Sequence, residues 1–151
     1  MRLVWFDQGS GSTCAEILAT LPHWFGIAAA NDAYRLVAER SPTVVAMHGE
    51  QAVGFVTVVR HSPHATELHV MAVRPEHHRQ GVGRALVVAV EDRLRSEDVE
   101  YLQVKTLSAT AGDEPYLRTL AFYSSLGFRV LEEMPTLWDA SNPAVLLVKR
   151  I

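Results

Sequence analysis

Apolar residues recur along this chain in two periods, and the switches between them mark its elements. Arg2 to Phe6 predicts a first strand. Thr13 and Glu16 stand at the spacing of a capping box, which predicts a short helix running to Leu21 and stopped by Pro22. Ile27, Ala30, Tyr34 and Val37 recur at helical spacing, and Ser41-Pro42 ends that second helix. The middle of the chain is rich in β-branched residues. Thr43 to Met47 and Ala52 to Val59 predict two strands joined at Gly49-Glu50, and Glu67 to Val73 predicts a third. From Gly81 the period changes, and Val82, Leu86, Ala89, Val90 and Leu94 form one helical stripe. Tyr101 to Leu107 returns to strand character. Pro115 suits the first turn of a further helix and Gly127 the residue just past its end. Phe128 to Leu131 and Val145 to Val148 predict closing strands, with Asn142-Pro143 in the turn between them. The order is βααβββαβαββ, an α/β chain with a mixed sheet.

Composition narrows the class. The chain has 151 residues, 48% hydrophobic and 21% charged, enough apolar surface for one domain over residues 1–151 with a real core. A net charge of −3 argues against gripping nucleic acid by charge alone. The longest stretch without Asp, Glu, Lys or Arg, Ile17 to Asn31, is broken by Pro22, His23 and Gly26 and is too short to span a bilayer. Leu3 to Phe6, the only apolar run before Asp7, is too short for a signal peptide, so neither membrane nor export is expected. Cys14 stands alone and cannot form an internal disulfide, which fits the cytoplasm. Gly9 to Ser12 is the only flexible-looking run.

The most informative segment runs from Val70 to Leu86. A strand enters a loop, and the loop opens a helix at Gly81-Val82-Gly83-Arg84. The first turn of a helix leaves main-chain N–H groups without internal partners, and its dipole favours an anion there. Arg79 and Arg84 add positive charge. The chemistry implied is phosphate or diphosphate binding; the plainer reading of a lone Gly-x-Gly is a tight turn feeding a helix. Arg84-Ala85 after Gly83 excludes a Walker loop, which needs Lys-Ser/Thr there. Leu86 stands where a dinucleotide fingerprint needs its third Gly or Ala.

His78-Arg79-Gln80-Gly81-Val82-Gly83, preceded by Val73-Arg74-Pro75-Glu76, resembles the acetyl-CoA loop of the GNAT superfamily of N-acetyltransferases, with His78 at a position usually held by Arg or Gln. Ala121 to Phe128 resembles the family's second signature, a helix bearing Phe-Tyr followed by Leu-Gly-Phe. Tyr116 and Thr119 depart from the usual Asn and Ala. The resemblance implies a mostly antiparallel mixed sheet flanked by helices, and direct acetyl transfer from acetyl-CoA to an amine of a small molecule or peptide. Arg79, Gln80, Gly81, Val82, Gly83 and Arg84 would hold the diphosphate, and the main chain at Met71 and Val73 would pair with the pantetheine. A homodimer is common in the family. The alternative of another class is a catalytically silent acyl-CoA-binding or regulatory module.

Acetyl transfer requires a base for the amine, a donor to the developing oxyanion and an acid for the departing thiolate. The resemblance puts Tyr123 beside the thioester sulfur, and a phenol of pKa ~10 stays protonated at neutral pH. The oxyanion would meet a main-chain N–H near Met71. Glu67 stands at the offset where some members carry a strand glutamate, 14 residues before Gly81, and is the candidate base. His69 competes, because imidazole ordinarily titrates near neutrality, and a relaying water is the third choice. Uninterrupted alternation puts Glu67, His69, Met71 and Val73 on one face. Trp24, Phe25 and Trp138 are candidates for an acceptor pocket, against a role in core packing. Lys105 is out of place in its strand, pointing either into a cleft or along its stem to water. His61, His64, His77 and His78 lack the companions of a metal site. Cys14 reads as a small core residue.

Overall fold

A computed structural model describes residues 1–151. Its elements follow the expected order: β1 (Arg2–Phe6), α1 (Gly11–Leu18), α2 (Ala28–Arg40), β2 (Thr43–His48), β3 (Gln51–Arg60), β4 (Ala65–Val73), α3 (Val82–Ser96), β5 (Tyr101–Leu107), α4 (Glu114–Ser125), β6 (Arg129–Asp139) and β7 (Asn142–Arg150). Short 3-10 turns at Pro75–His77 and Ala109–Ala111 precede α3 and α4. All seven strands form one sheet in the order β1-β2-β3-β4-β5-β7-β6, antiparallel except for β4 and β5.

Helices cover both faces because the strands carry apolar side chains on both. Val82, Leu86, Val87, Val90 and Leu94 of α3 pack with Val44, Val56, Leu102, Val104 and Val145 on one face, joined by Tyr123 and Leu126 at the end of α4. Cys14, Ile17 and Leu18 of α1 and Ala38 of α2 pack with Val45, Phe55, Val70 and Ala72 on the other. Fully burying side chains of this kind contributes about 1.5–3 kcal/mol each, so these two layers hold the sheet between them.

Several local expectations are corrected. The first helix starts at Gly11 and not at the Thr13–Glu16 box: the Glu39 carboxylate of α2 accepts from the Gly11 N–H at 3.0 Å and so caps α1 from outside. Gly9 to Ser12 is therefore an anchored helix entrance, with Gly9 and Ser10 N–H groups bonded to the carbonyls of Glu39 and Ala38. The helix ends at Leu18, and the chain tightens into i→i+3 turns through Thr20 and Leu21 before Pro22. Asn142-Pro143 opens β7 and is not the turn. The Asp139 carboxylate accepts from the N–H groups of Ser141 and Asn142 and closes the hairpin at Ala140-Ser141, so both last strands are longer than their apolar cores suggest.

The sheet splits at its centre. The β4–β5 ladder covers only Ala65–Glu67 against Tyr101–Gln103, and the strands then diverge. From Leu68 to Val73 the β5-facing edge of β4 has no strand partner.

Candidate active site

A cavity of about 840 Å³ fills this split and is walled by residues from both faces of the sheet. Of the residues predicted from sequence, Trp24, Phe25, His69, Met71, Val73, Arg79, Gly81, Val82, Gly83, Arg84, Tyr123 and Trp138 line it. Gln80 does not: its side-chain amide turns away to donate to the Glu76 carbonyl at 2.9 Å. Glu67 does not line it either, and sits behind His69 and Lys105.

The loop before α3 leaves its main-chain donors free. Arg79 and Gly81 both adopt left-handed backbone conformations, with φ of 61° and 82°. Gly81 is the N-cap of α3, and no side chain caps that end. The consecutive main-chain N–H groups of Arg79 to Arg84 donate no hydrogen bond within the protein, and internal bonding resumes only at Ala85, whose N–H reaches the Gly81 carbonyl. Such a run of unpartnered donors at a helix N-terminus is a seat for phosphate oxygens. The two glycines serve different ends. A Cβ on Gly81 would enter open space, so its requirement is conformational. A Cβ on Gly83 would come within 3.1 Å of Met71 Cε and Phe122 Cζ, so Gly83 lets α3 approach β4 and α4 closely. His78, at the variant position of the loop motif, places its Nε2 2.7 Å from the Val73 carbonyl and its ring edge-on to Trp24. It shapes the end of β4.

A bulge divides the next strand. Val70 lies opposite Thr57 and Leu68 opposite Val58, which leaves His69 as an extra residue without a partner on β3. The expectation that Glu67, His69, Met71 and Val73 share one face is therefore corrected. Glu67 and His69 stay together on the α1–α2 face, where His69 meets the Tyr34 ring at 5.7 Å. Met71 and Val73 turn to the α3–α4 face. There the Tyr123 hydroxyl, in a side chain only 6% exposed, has Met71 Sδ as its sole partner, at 3.9 Å. Burial pushes the Tyr123 phenol well above its ordinary pKa, with a smaller contribution from Tyr116, so it holds its proton.

Glu67 is 4% exposed and crowded with donors. Its carboxylate meets His61 Nε2 at 2.7 Å, Lys105 Nζ at 3.0 Å, His69 Nδ1 at 3.3 Å and Gln103 Nε2 at 3.5 Å. Burial pushes its pKa up, but hydrogen bonds from His69, Lys105 and His61, with the lysine charge, outweigh that and hold it at about 2. At neutral pH the ionised Glu67 carboxylate is an acceptor for His69 Nδ1–H, the tautomer in which a neutral imidazole keeps its lone pair on Nε2.

The segment between α1 and α2 crosses the cavity to α4. Trp24 Nε1 donates to the Pro115 carbonyl and Thr119 Oγ1, at 3.1 and 3.2 Å, and the Tyr116 hydroxyl donates to the Trp24 carbonyl. The Arg118 guanidinium lies 5.7 Å from the Trp24 ring centre. Tyr34 and Lys105 also line the cavity. Tyr34 reads in sequence as one apolar position of a helical stripe, and only the placement of α2 over the split exposes its role. The remaining histidines disperse: His64 pairs with Glu100, and His77 packs on His48. Burial pushes the Cys14 thiol up to about 12, against a hydrogen bond with Thr57, which leaves it inert.

A split sheet with free main-chain N–H groups at the head of α3 belongs to a fold shared with solved acetyltransferases. The model of the acetyltransferase (GNAT) domain matches residues 39–130, and the chain belongs to that family. It is an N-acetyltransferase with acetyl-CoA as cosubstrate. Solved structures with the same fold include Ard1 from Thermoplasma volcanium, at 19% identity and TM-score 0.78, covering 99% of this chain and 97% of that one. An aminoglycoside 6'-N-acetyltransferase complexed with coenzyme A is 20% identical, with TM-score 0.73 and coverage of 99% and 97%. The ribosomal-protein-S18-alanine N-acetyltransferase of Escherichia coli is 18% identical, with TM-score 0.75 and coverage of 99% and 94%. No curated protein matches the chain significantly in sequence.

Proposed function

We propose that this protein transfers an acetyl group from acetyl-CoA directly to an amine, with His69 as the base, Glu67 as the residue that positions it and Tyr123 as the acid. The observation that carries the reading is the run of free N–H groups from Arg79 to Arg84 on a cavity that His69 also lines. Those amides, with Arg79 and Arg84, suit the diphosphate. The unpaired edge of β4 around Met71 and Val73 suits the extended amide chain that follows it. When bound, the coenzyme supplies an acetyl group activated as a thioester.

The chain supplies the proton traffic. Glu67, saturated with donors and held at about 2, is a poor acceptor for an ammonium proton. It fixes the His69 ring and supports positive charge on it, while His69, which lines the cavity, serves as the base through Nε2. Across the split, Tyr123 Oη holds a proton against Met71 Sδ, and it lines the same cavity, which supports its role as the acid for a leaving sulfur. The bulge at His69 separates these functions, with base and acceptor on one face of the sheet and acid and coenzyme on the other. The many polar contacts converging on Glu67 and His69 favour catalysis over silent coenzyme binding.

The test is calorimetry with acetyl-CoA, thermal shifts against ATP and NAD, and a free-thiol assay over a broad panel of amines and peptide N-termini. Acetyl-CoA is expected to bind and to stabilise the protein more than either nucleotide, and thiol release is expected to depend on the amine. Absence of any binding heat overturns the reading.

A further inference from the structure

We propose that the acceptor is an amine that also carries a carboxylate on an apolar body, an amino-acid-like molecule, and that Lys105 and Tyr34 receive the carboxylate. This rests on the acetyl-transfer reading and names its substrate class.

The first observation is electrostatic. The chain carries 17 acidic residues against 14 Lys and Arg, yet the cavity wall contains no Asp or Glu at all. It contains Arg79, Arg84, Lys105 and Arg118. Arg79 and Arg84 belong to the loop before α3 and Arg118 lies over Trp24, so Lys105 is the ammonium at the His69 end. Glu67, the nearest carboxylate there, is buried and already shared among Lys105, His61 and His69. A polycationic amine would lose its hydration in this cavity and find no free carboxylate.

The second observation is the inventory of hydrogen-bonding groups. Lys105 Nζ has three N–H donors, and the structure gives it one partner, Glu67. Its side chain is 29% exposed, along the cavity. Tyr34 and Trp138 also line the cavity, and neither the Tyr34 hydroxyl nor Trp138 Nε1 makes a hydrogen bond within the protein. Burial, with the nearby charge of Glu67, keeps the Tyr34 proton in place. The acceptor end thus presents donors around a single basic nitrogen, His69 Nε2. A carboxylate satisfies such donors, and an amine brought to His69 by its own carboxylate gains orientation as well as affinity. Phe25, Tyr34 and Trp138 supply aromatic surface for an apolar body, with the Phe25 and Tyr34 rings edge-to-face at 6.0 Å.

The experiment compares matched acceptors in the free-thiol assay: L-phenylalanine, L-leucine and L-methionine against their amides, with spermidine as the polycation. The free acids are expected to exceed their amides in kcat/KM by about 10-fold or more, because only the acid brings a negative charge to pair with the Lys105 ammonium, whereas the amide offers it a neutral carbonyl. The amide's amine is the more readily deprotonated, which works against this ratio. Lys105→Met and, separately, Tyr34→Phe are expected to move the acid-to-amide ratio toward one, which a merely structural role would not do. A second readout is equilibrium binding of the N-acetyl acids and their amides to the wild-type protein, followed by tryptophan fluorescence. Saturable binding of the acids in preference to the amides supports the proposal. Equal or preferred use of the amides or spermidine overturns it, as does equal binding, or no binding, of both product forms. Calorimetry with acetyl-CoA in the same preparations separates the two levels. Coenzyme binding without an acid preference removes this inference alone, whereas loss of coenzyme binding removes the acetyl-transfer reading beneath it.

Discussion

Glu67 and Tyr123, on opposite faces of the sheet, one charged and one neutral, show how environment sets the protonation state of a buried acid. Both are buried, and burial alone pushes each toward its neutral form. Tyr123 has only a thioether as partner and stays neutral, which suits the acid role proposed for it. Glu67 has four donors and stays charged, which suits the supporting role proposed for it beside His69. Tyr123→Phe is expected to lower kcat about 10²-fold, the usual size of a lost proton donor, while acetyl-CoA affinity by calorimetry changes little. Glu67→Gln is expected to lower kcat by a similar order, because the amide no longer fixes the His69 tautomer or supports its charge. The same substitution in a protein where Glu67 were the base would leave no His69-dependent activity to measure. His69→Ala, assayed alongside, separates the two cases: with His69 as the base, its loss equals or exceeds that of Glu67→Gln.

At the scale of single elements, α3 carries two duties at its two ends. Its apolar stripe anchors one face of the sheet, and Leu86, wholly buried there, packs with the strands that frame the split. Leu86→Ala is expected to cost about 2–5 kcal/mol of stability, read as a shift in denaturant midpoint with unchanged slope. Its N-terminus has a different requirement. Gly81 sits at a φ of 82°, where an L side chain costs about 1–2 kcal/mol. Gly81→Ala is expected to lose that much stability and to weaken acetyl-CoA binding as the loop relaxes from its free-amide geometry, measured by thermal denaturation and calorimetry together. The glycine motif was legible in the sequence because both requirements, a left-handed cap and a close helix–strand approach, leave few residue choices. The Thr13–Glu16 spacing was misleading for a complementary reason. Helix α1 takes its cap from Glu39 on α2, a contact that local spacing cannot reveal.

Across the whole molecule, the sheet is held open at one end and closed at the other. Three residue pairs join β4 to β5, and from the last of them the Glu67 side chain reaches Lys105, past the ladder on β5, at 3.0 Å. The pKa of Glu67 falls from an ordinary 4.5 to about 2 on folding. A carboxylate depressed in this way stabilises the fold when ionised, so its contribution is fully present above about 4.5. It is lost as the pH falls from 4.5 toward 2. Urea titrations across that window are expected to show a steeper loss of stability for the wild-type protein than for Glu67→Gln, which starts lower and has no carboxylate there to protonate.

The chain's own order of periods, glycines and aromatic pairs was enough to determine the element order, the glycine loop that opens α3 and the Phe122-Tyr123 helix, because these depend on neighbours within a few residues. Tertiary structure alone decided which face each strand residue takes beyond the bulge at His69, since one extra residue reverses the alternation of all that follow. It also decided that Glu67 is a saturated ion-pair partner, that Gln80 turns away, and that Tyr34 and Lys105 line one cavity. Those outcomes depend on elements brought together from distant parts of the chain, and a carboxylate's chemistry is set by the donors that packing places around it.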